Sequence, residues 1–154
     1  MMIEELNNKQ DLTSDDKLGK LYFQFGELLN ELRKRELSEK IEGLINDCVC
    51  QINSSTLNGK QLAKFIRKKQ TSIITQIEKE YKIVPKNYYR NLWMILGMVS
   101  FGVPVGLAFG LSVGKIGLFV IGLPIGQAIG LAFGTALDKK ALAEGRQLNT
   151  EIKI

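Results

Sequence analysis

Cys48 and Cys50 are the only thiols in the chain, and they stand one residue apart. That C-x-C spacing matches neither a zinc-binding pair nor the C-x-x-C of a redox centre. Both read as free, reduced cysteines on a cytosolic helix. Histidine is absent, which removes the commonest general base and metal ligand. No phosphate loop and no nucleophile–base pair stands in for it, so no enzyme activity, cofactor or metal is expected. A second reactive set is the run Lys60, Lys64, Arg67, Lys68 and Lys69. Cations there oppose the dipole of a helix that starts at about 60, so an anion must favour them: lipid headgroups, an acidic partner, or the acidic segments upstream. One basic turn without interleaved aromatics does not make a nucleic-acid site.

The most regular spacing in the chain belongs to glycine. Gly102, Gly106, Gly110 and Gly114 recur every fourth residue, and so do Gly122, Gly126, Gly130 and Gly134. Lipid tails solvate apolar side chains well, so helices inside a bilayer associate by close packing rather than by hydrophobic gain. A glycine at every fourth position makes a groove that another backbone can enter. These eight residues are the candidate helix-packing site. The two runs are also copies of one another at an offset of 20. Between 97–114 and 117–134, 8 of 18 positions match, including five glycines and the pair Pro104/Pro124. Each proline removes a helix hydrogen bond, freeing the carbonyls of Ser100 and Val120, and both are expected to kink their helices. The glycine series are symmetric about position 116, which would place 102 beside 130, 106 beside 126 and 110 beside 122. The grooves can then close on each other or on a neighbouring copy.

The elements that carry these residues follow from periodicity. Residues 92–114 and 116–137 carry no charge, and Lys115 alone separates them. At 1.5 Å per residue, each run is long enough to cross a hydrocarbon core of about 30 Å. Gly114-Lys115-Ile116-Gly117 breaks them into a hairpin of about 88–114 and 116–137. Upstream, apolar residues at helical spacing predict three amphipathic helices, at about 14–36, 38–53 and 60–83. Thr13-Ser14-Asp15-Asp16 supplies a start signal for the first. Residues 1–12 show no periodicity and are expected to fray. The fold class is all-α. The domains are a cytoplasmic helical domain over 1–84, a juxtamembrane linker over 85–91, the hairpin over 92–137 and a cytoplasmic tail over 138–154.

Charge sets the expected location. Residues 1–58 carry net −4, residues 59–90 net +7, and the two later blocks +1 each. The basic block lies directly before the apolar run, and Lys139 and Lys140 lie directly after it, whereas the tip offers one lysine. The positive-inside rule then puts both termini in the cytoplasm. Tyr88, Tyr89, Arg90 and Trp93 suit the headgroup layer, so with Lys139 and Lys140 they form the candidate membrane interface. The acidic start lacks an apolar core and is not a signal peptide.

The run Tyr89-Arg90-Asn91-Leu92-Trp93 into Phe101-Gly102-Val103-Pro104-Val105-Gly106, with Gly122-Leu123-Pro124-Ile125-Gly126 and Gly134-Thr135-Ala136-Leu137-Asp138-Lys139-Lys140, resembles small bacterial glycine-zipper membrane proteins. The resemblance covers roughly 88–148; Lys17 to Gly26 is similar to their N-terminal part. It implies a two-span hairpin in the bacterial inner membrane and no catalytic residues. The expected function is that of a non-enzymatic integral membrane protein. It would self-associate into a homo-oligomer through Gly106, Gly110, Gly126 and Gly130 and present a helical module. Its partners are the lipid bilayer, further copies of itself and a cytoplasmic protein for residues 14–83. A pore-forming or membrane-permeabilising component in defence or competition is the alternative.

Overall fold

The computed structural model describes residues 3–7 and 17–152. The start signal at Thr13-Ser14-Asp15-Asp16 and the first residues of the helix expected from 14 lie outside that set. The fold is helical with one small sheet. Its elements are α1 (Lys17–Arg33), α2 (Glu39–Asn53), α3 (Gly59–Tyr81), β1 (Val84–Lys86), α4 (Tyr88–Gly97), α5 (Val103–Ser112), α6 (Gly122–Ala143) and β2 (Gln147–Glu151). A π-helical turn, Met98–Gly102, joins α4 to α5, and a 3-10 segment, Ile116–Ile121, leads into α6.

The chain forms two compact units, one of 1–85 with 148–154, the other of 86–147. In the first, α3 packs against both α1 and α2. Leu21, Phe25, Leu28, Leu29 and Leu32 from α1 are buried, as are Ile41, Ile45, Val49 and Ile52 from α2. Leu62, Ile66, Ile73, Ile74 and Ile77 complete the core from α3. These are the i, i+3, i+4 stripes that the sequence displays. Ser38 starts α2, its carbonyl accepting the N–H groups of Ile41 and Glu42.

Three sequence expectations change here. Residues 3–7 do not fray: Ile3 is buried, and side chains hold the backbone. Asn46 Oδ1 accepts the Glu4 N–H at 2.8 Å, Asn53 Oδ1 accepts the Asn7 N–H at 2.9 Å, and Arg33 donates to the carbonyls of Ile3 and Glu4. The anchor is made of polar side chains on other elements, which no periodicity in 1–12 reports. Second, β1 runs across the expected boundary at 84/85 into the segment read as a linker, and α4 starts within that segment at Tyr88; Val84 is wholly buried. Pro85 is tolerated because a two-stranded sheet consists of edges only. Third, residues 138–154 are not a separate tail. Residues 138–143 extend α6, and 147–151 pair with β1 as the second strand. Leu148 and Ile152 join the core of the first unit.

Candidate functional site

The second unit is a hairpin of two helical stretches, Tyr88–Ser112 and Ile116–Ala143. Both are long and apolar enough to cross a membrane. The second continues six residues past the expected end at 137, because Lys139, Lys140, Ala141, Leu142 and Ala143 are good helix formers and nothing stops the helix before Gly145. The turn between the stretches is a Schellman motif. The Lys115 N–H reaches back to the Gly110 carbonyl at 2.9 Å and the Gly114 N–H to Leu111 at 3.1 Å. Gly114 adopts φ +68°, the left-handed conformation that such a cap needs. It is therefore a turn residue and not part of the packing seam. Helix α6 ends in the same way: Arg146 donates to Ala141, Gly145 donates to Leu142, and Gly145 has φ +69°.

Glycine lines the inner faces. Gly97, Gly102, Gly106, Gly110, Gly122, Gly126, Gly130 and Gly134 are all buried. A Cβ added to any of them would meet the backbone of the opposing stretch. At Gly106 it would enter the Phe119 carbonyl, at Gly122 that of Gly102, and at Gly130 that of Trp93. At Gly134 it would lie 2.5 Å from both the Arg90 Cα and the Tyr89 oxygen. Gly102 and Gly110 are slightly roomier, with nearest backbone atoms at 3.0 and 3.1 Å. Gly97, absent from the expected series, belongs to the seam as well. The glycine faces close on each other within one chain.

The register differs from the one expected. Gly102 faces Gly122 and not Gly130; Gly106 faces Phe119 and Gly122 and not Gly126; Gly110 faces Lys115 and Ile116 and not Gly122. The hairpin is symmetric about position 112 instead of 116. Two local features account for this. The first stretch ends at Ser112, and the 3-10 segment rises about 2.0 Å per residue against 1.5 Å for an α-helix, so fewer residues of the second arm cover the same depth.

The prolines explain why the sequence copies fold differently. Pro104 lies inside a long helical stretch, and the preceding turn, Met98–Gly102, has π register. Widening that turn accommodates the missing donor and the ring's clash with the carbonyl four residues back. Pro124 is the third residue of α6, just after the 3-10 segment Ile116–Ile121 gives way to α-helix, and that change of register accommodates its missing donor. Both prolines are exposed.

Large apolar side chains point outward. Val99, Leu111 and Ile116 are each more than 60% exposed, and Phe101, Phe109, Val120, Ile121 and Phe133 are exposed too. Only 22% and 17% of the most apolar windows of the two stretches are buried. The arrangement inverts that of a soluble core, which large apolar side chains such as these fill.

The foot of the hairpin gathers the aromatic and charged residues. Tyr88, Tyr89, Arg90 and Trp93 are half-buried, with Tyr88 edge-on to Tyr89 and Trp93 stacked on Phe133 at 5.9 Å. Lys139 and Lys140 are exposed. Lys86, Arg90, Asp138 and Lys139 line one depression of about 240 Å³. Asp138, 7% exposed, is the residue that sequence reasoning missed. Its two carboxylate oxygens accept the N–H groups of Tyr89 at 3.1 Å and Arg90 at 2.9 Å. Those are the second and third N–H groups of α4, which its own N-cap, Asn87, leaves without a side-chain acceptor. The signal was present as the first acid after the uncharged run.

Elsewhere, Cys48 is buried and Cys50 exposed, and both are free. Burial pushes the Cys48 thiol up, which disfavours the reactive thiolate. Among the described residues, no group of three or more His, Cys, Asp or Glu side chains could hold a metal ion. No family model matches the chain, and no curated protein or solved structure matches it either.

Proposed function

We propose that this chain is a non-enzymatic integral membrane protein, anchored by its hairpin and presenting the three-helix unit to the aqueous side. One observation carries the reading: the hairpin buries glycine and exposes leucine, isoleucine, valine and phenylalanine along both stretches. In water, so large a continuous apolar surface would drive aggregation. In a bilayer, lipid tails cover it, and the helices satisfy their own backbone hydrogen bonds. The charge pattern supports an orientation with both feet in the cytoplasm of a bacterium and Lys115 at the outer surface. The resemblance to glycine-zipper membrane proteins fits the same reading.

Self-association is part of the proposal, but not through the glycines first expected to carry it. Gly106, Gly110, Gly126 and Gly130 are occupied within one hairpin, so contacts between copies have the outer apolar faces to use. A pore has less support. Between 93 and 134 the polar side chains are Ser100, Ser112, Lys115 and Gln127. Ser112 bonds the Ala108 carbonyl of its own helix, and Gln127 contacts the Met94 sulfur. Little remains to line an aqueous lumen. Alkaline carbonate extraction tests the anchor: the full chain should stay with the membrane pellet, and release into the soluble fraction would overturn the reading.

A further inference from the structure

Between α1 and the start of α3 lies a half-open cavity of about 490 Å³. Four cations line it: Lys17 from α1, and Lys60, Lys64 and Arg67 from α3. Leu18 and Ala63 supply its apolar wall. The three α3 residues fall at i, i+4 and i+7, hence on one helix face. Among the described residues no acid lines this cavity, and none of the four cations makes an ion pair with a described residue. The neighbouring depression shares Lys17 and Arg67 and is lined by Glu27 and Glu151, so these two described acids border that depression and not the cavity.

The clustering is unfavourable for the chain alone. Four like charges surround one space, and the positive end of α3 adds to them rather than offsetting them. Nor do the residues serve the core, since all four are exposed. An arrangement of this kind becomes favourable when a multiply charged anion sits among the cations, because charge-assisted hydrogen bonds to phosphate oxygens are the strong ones. Arg67 offers a planar fork and the lysines three point charges, a combination that recognises phosphate groups. The volume falls within the range of small-molecule sites, and the apolar wall leaves room for an organic moiety.

We propose that this cavity binds a phosphate-bearing ligand with at least two negative charges, either a free polyphosphate or a phosphorylated lipid headgroup. Lys64 and Arg67 form the centre of the site; Lys17 and Lys60 close its two sides. The site belongs to the helical unit; binding of a free polyphosphate stands independently of the membrane reading, whereas a headgroup ligand rests on it.

Inorganic pyrophosphate is the probe, titrated by calorimetry into the full chain in uncharged detergent at 150 mM salt, about the ionic strength at which exposed charges are well screened. Saturable one-site binding is expected, weakened at least ~10-fold in the exposed double variant Lys64→Gln/Arg67→Gln, which is about one power of ten in affinity. The variant Lys40→Gln/Lys79→Gln removes the same charge elsewhere and should bind as the parent does. No saturable binding would overturn the proposal, whether the space stays empty or the chain's own Asp11, Asp15 or Asp16 fills it. Equal weakening in both double variants would overturn it too, by showing attraction to net charge alone. Nanodiscs separate the two sources. If pyrophosphate binds in phosphatidylcholine discs but is excluded from discs containing a phosphorylated inositol lipid, the headgroup is the ligand. Equal binding in both assigns the site to a free phosphate compound.

Discussion

Asp138 illustrates how much one side chain can decide. A buried carboxylate gains most when its charge meets backbone N–H groups at a helix start. Here the donors lie 48 and 49 residues away in sequence, so the interaction staples the two feet of the hairpin. Asp138→Ala should cost about 0.5–2 kcal/mol, the range for losing a helix cap, whereas Asp138→Asn keeps one acceptor and should cost less. Thermal denaturation in detergent would show both. Glu31 gives a second prediction at this scale. It accepts from Lys34 Nζ at 2.6 Å and from the Asn149 N–H at 3.2 Å, and the Lys34 hydrogen bond leads the causes that hold its carboxyl below the usual range. Between the folded and unfolded values, the folded chain binds fewer protons. The stabilisation is therefore complete above the ordinary carboxylate pKa and is lost as pH falls through the lowered one. Hydrogen-exchange protection at Asn149 should drop over that acidic window, and Glu31→Gln should abolish the dependence.

At the scale of elements, the hairpin depends on the absence of side chains from its inner face. Gly106→Ala places a Cβ inside the Phe119 carbonyl, and backbone cannot swing aside as a side chain can. The cost should reach or exceed the roughly 1–3 kcal/mol of overpacking. Gly117 has nothing within 4 Å of its Cβ position, so Gly117→Ala should be neutral or stabilising by about 0.4–1 kcal/mol through the unfolded state. Protease resistance of the hairpin in micelles would rank the two. If Gly106→Ala and Gly126→Ala instead dissolve oligomers and leave the monomeric hairpin resistant, the seams pack between chains. The hairpin and its glycine faces were legible because an uncharged run and a four-residue period are local signals. Its register was not, since it turns on where a Schellman cap closes and on a 3-10 segment whose rise depends on context. The β1–β2 pair was equally hidden: Val84-Pro85-Lys86 is too short to show alternation, and it is a strand only because Gln147–Glu151 returns to it. The amphipathic stripes of α1 to α3 were plain, while the cavity at Lys64 and Arg67 needed α1 to be placed beside α3.

For the whole molecule, the anchor reading makes a prediction about sidedness. In intact cells a membrane-impermeant maleimide should leave Cys50 untouched and label a cysteine introduced at Lys115. After lysis Cys50 should react, with Cys48 following only on unfolding, because it is buried. Labelling of Cys50 in intact cells would reverse the orientation. The pairing of β2 with β1 carries a further consequence, for the order of events during synthesis. Helices α1 to α3 leave the ribosome first, but Leu148 and Ile152, which finish their core, emerge only after the whole hairpin. Until then the nascent helical unit lacks two of its buried side chains. Insertion of the hairpin would therefore precede completion of the unit that it anchors. A ribosome stalled before residue 147 should hold a helical unit that is protease-sensitive, and exit of residues 148–152 from the ribosome should render it resistant.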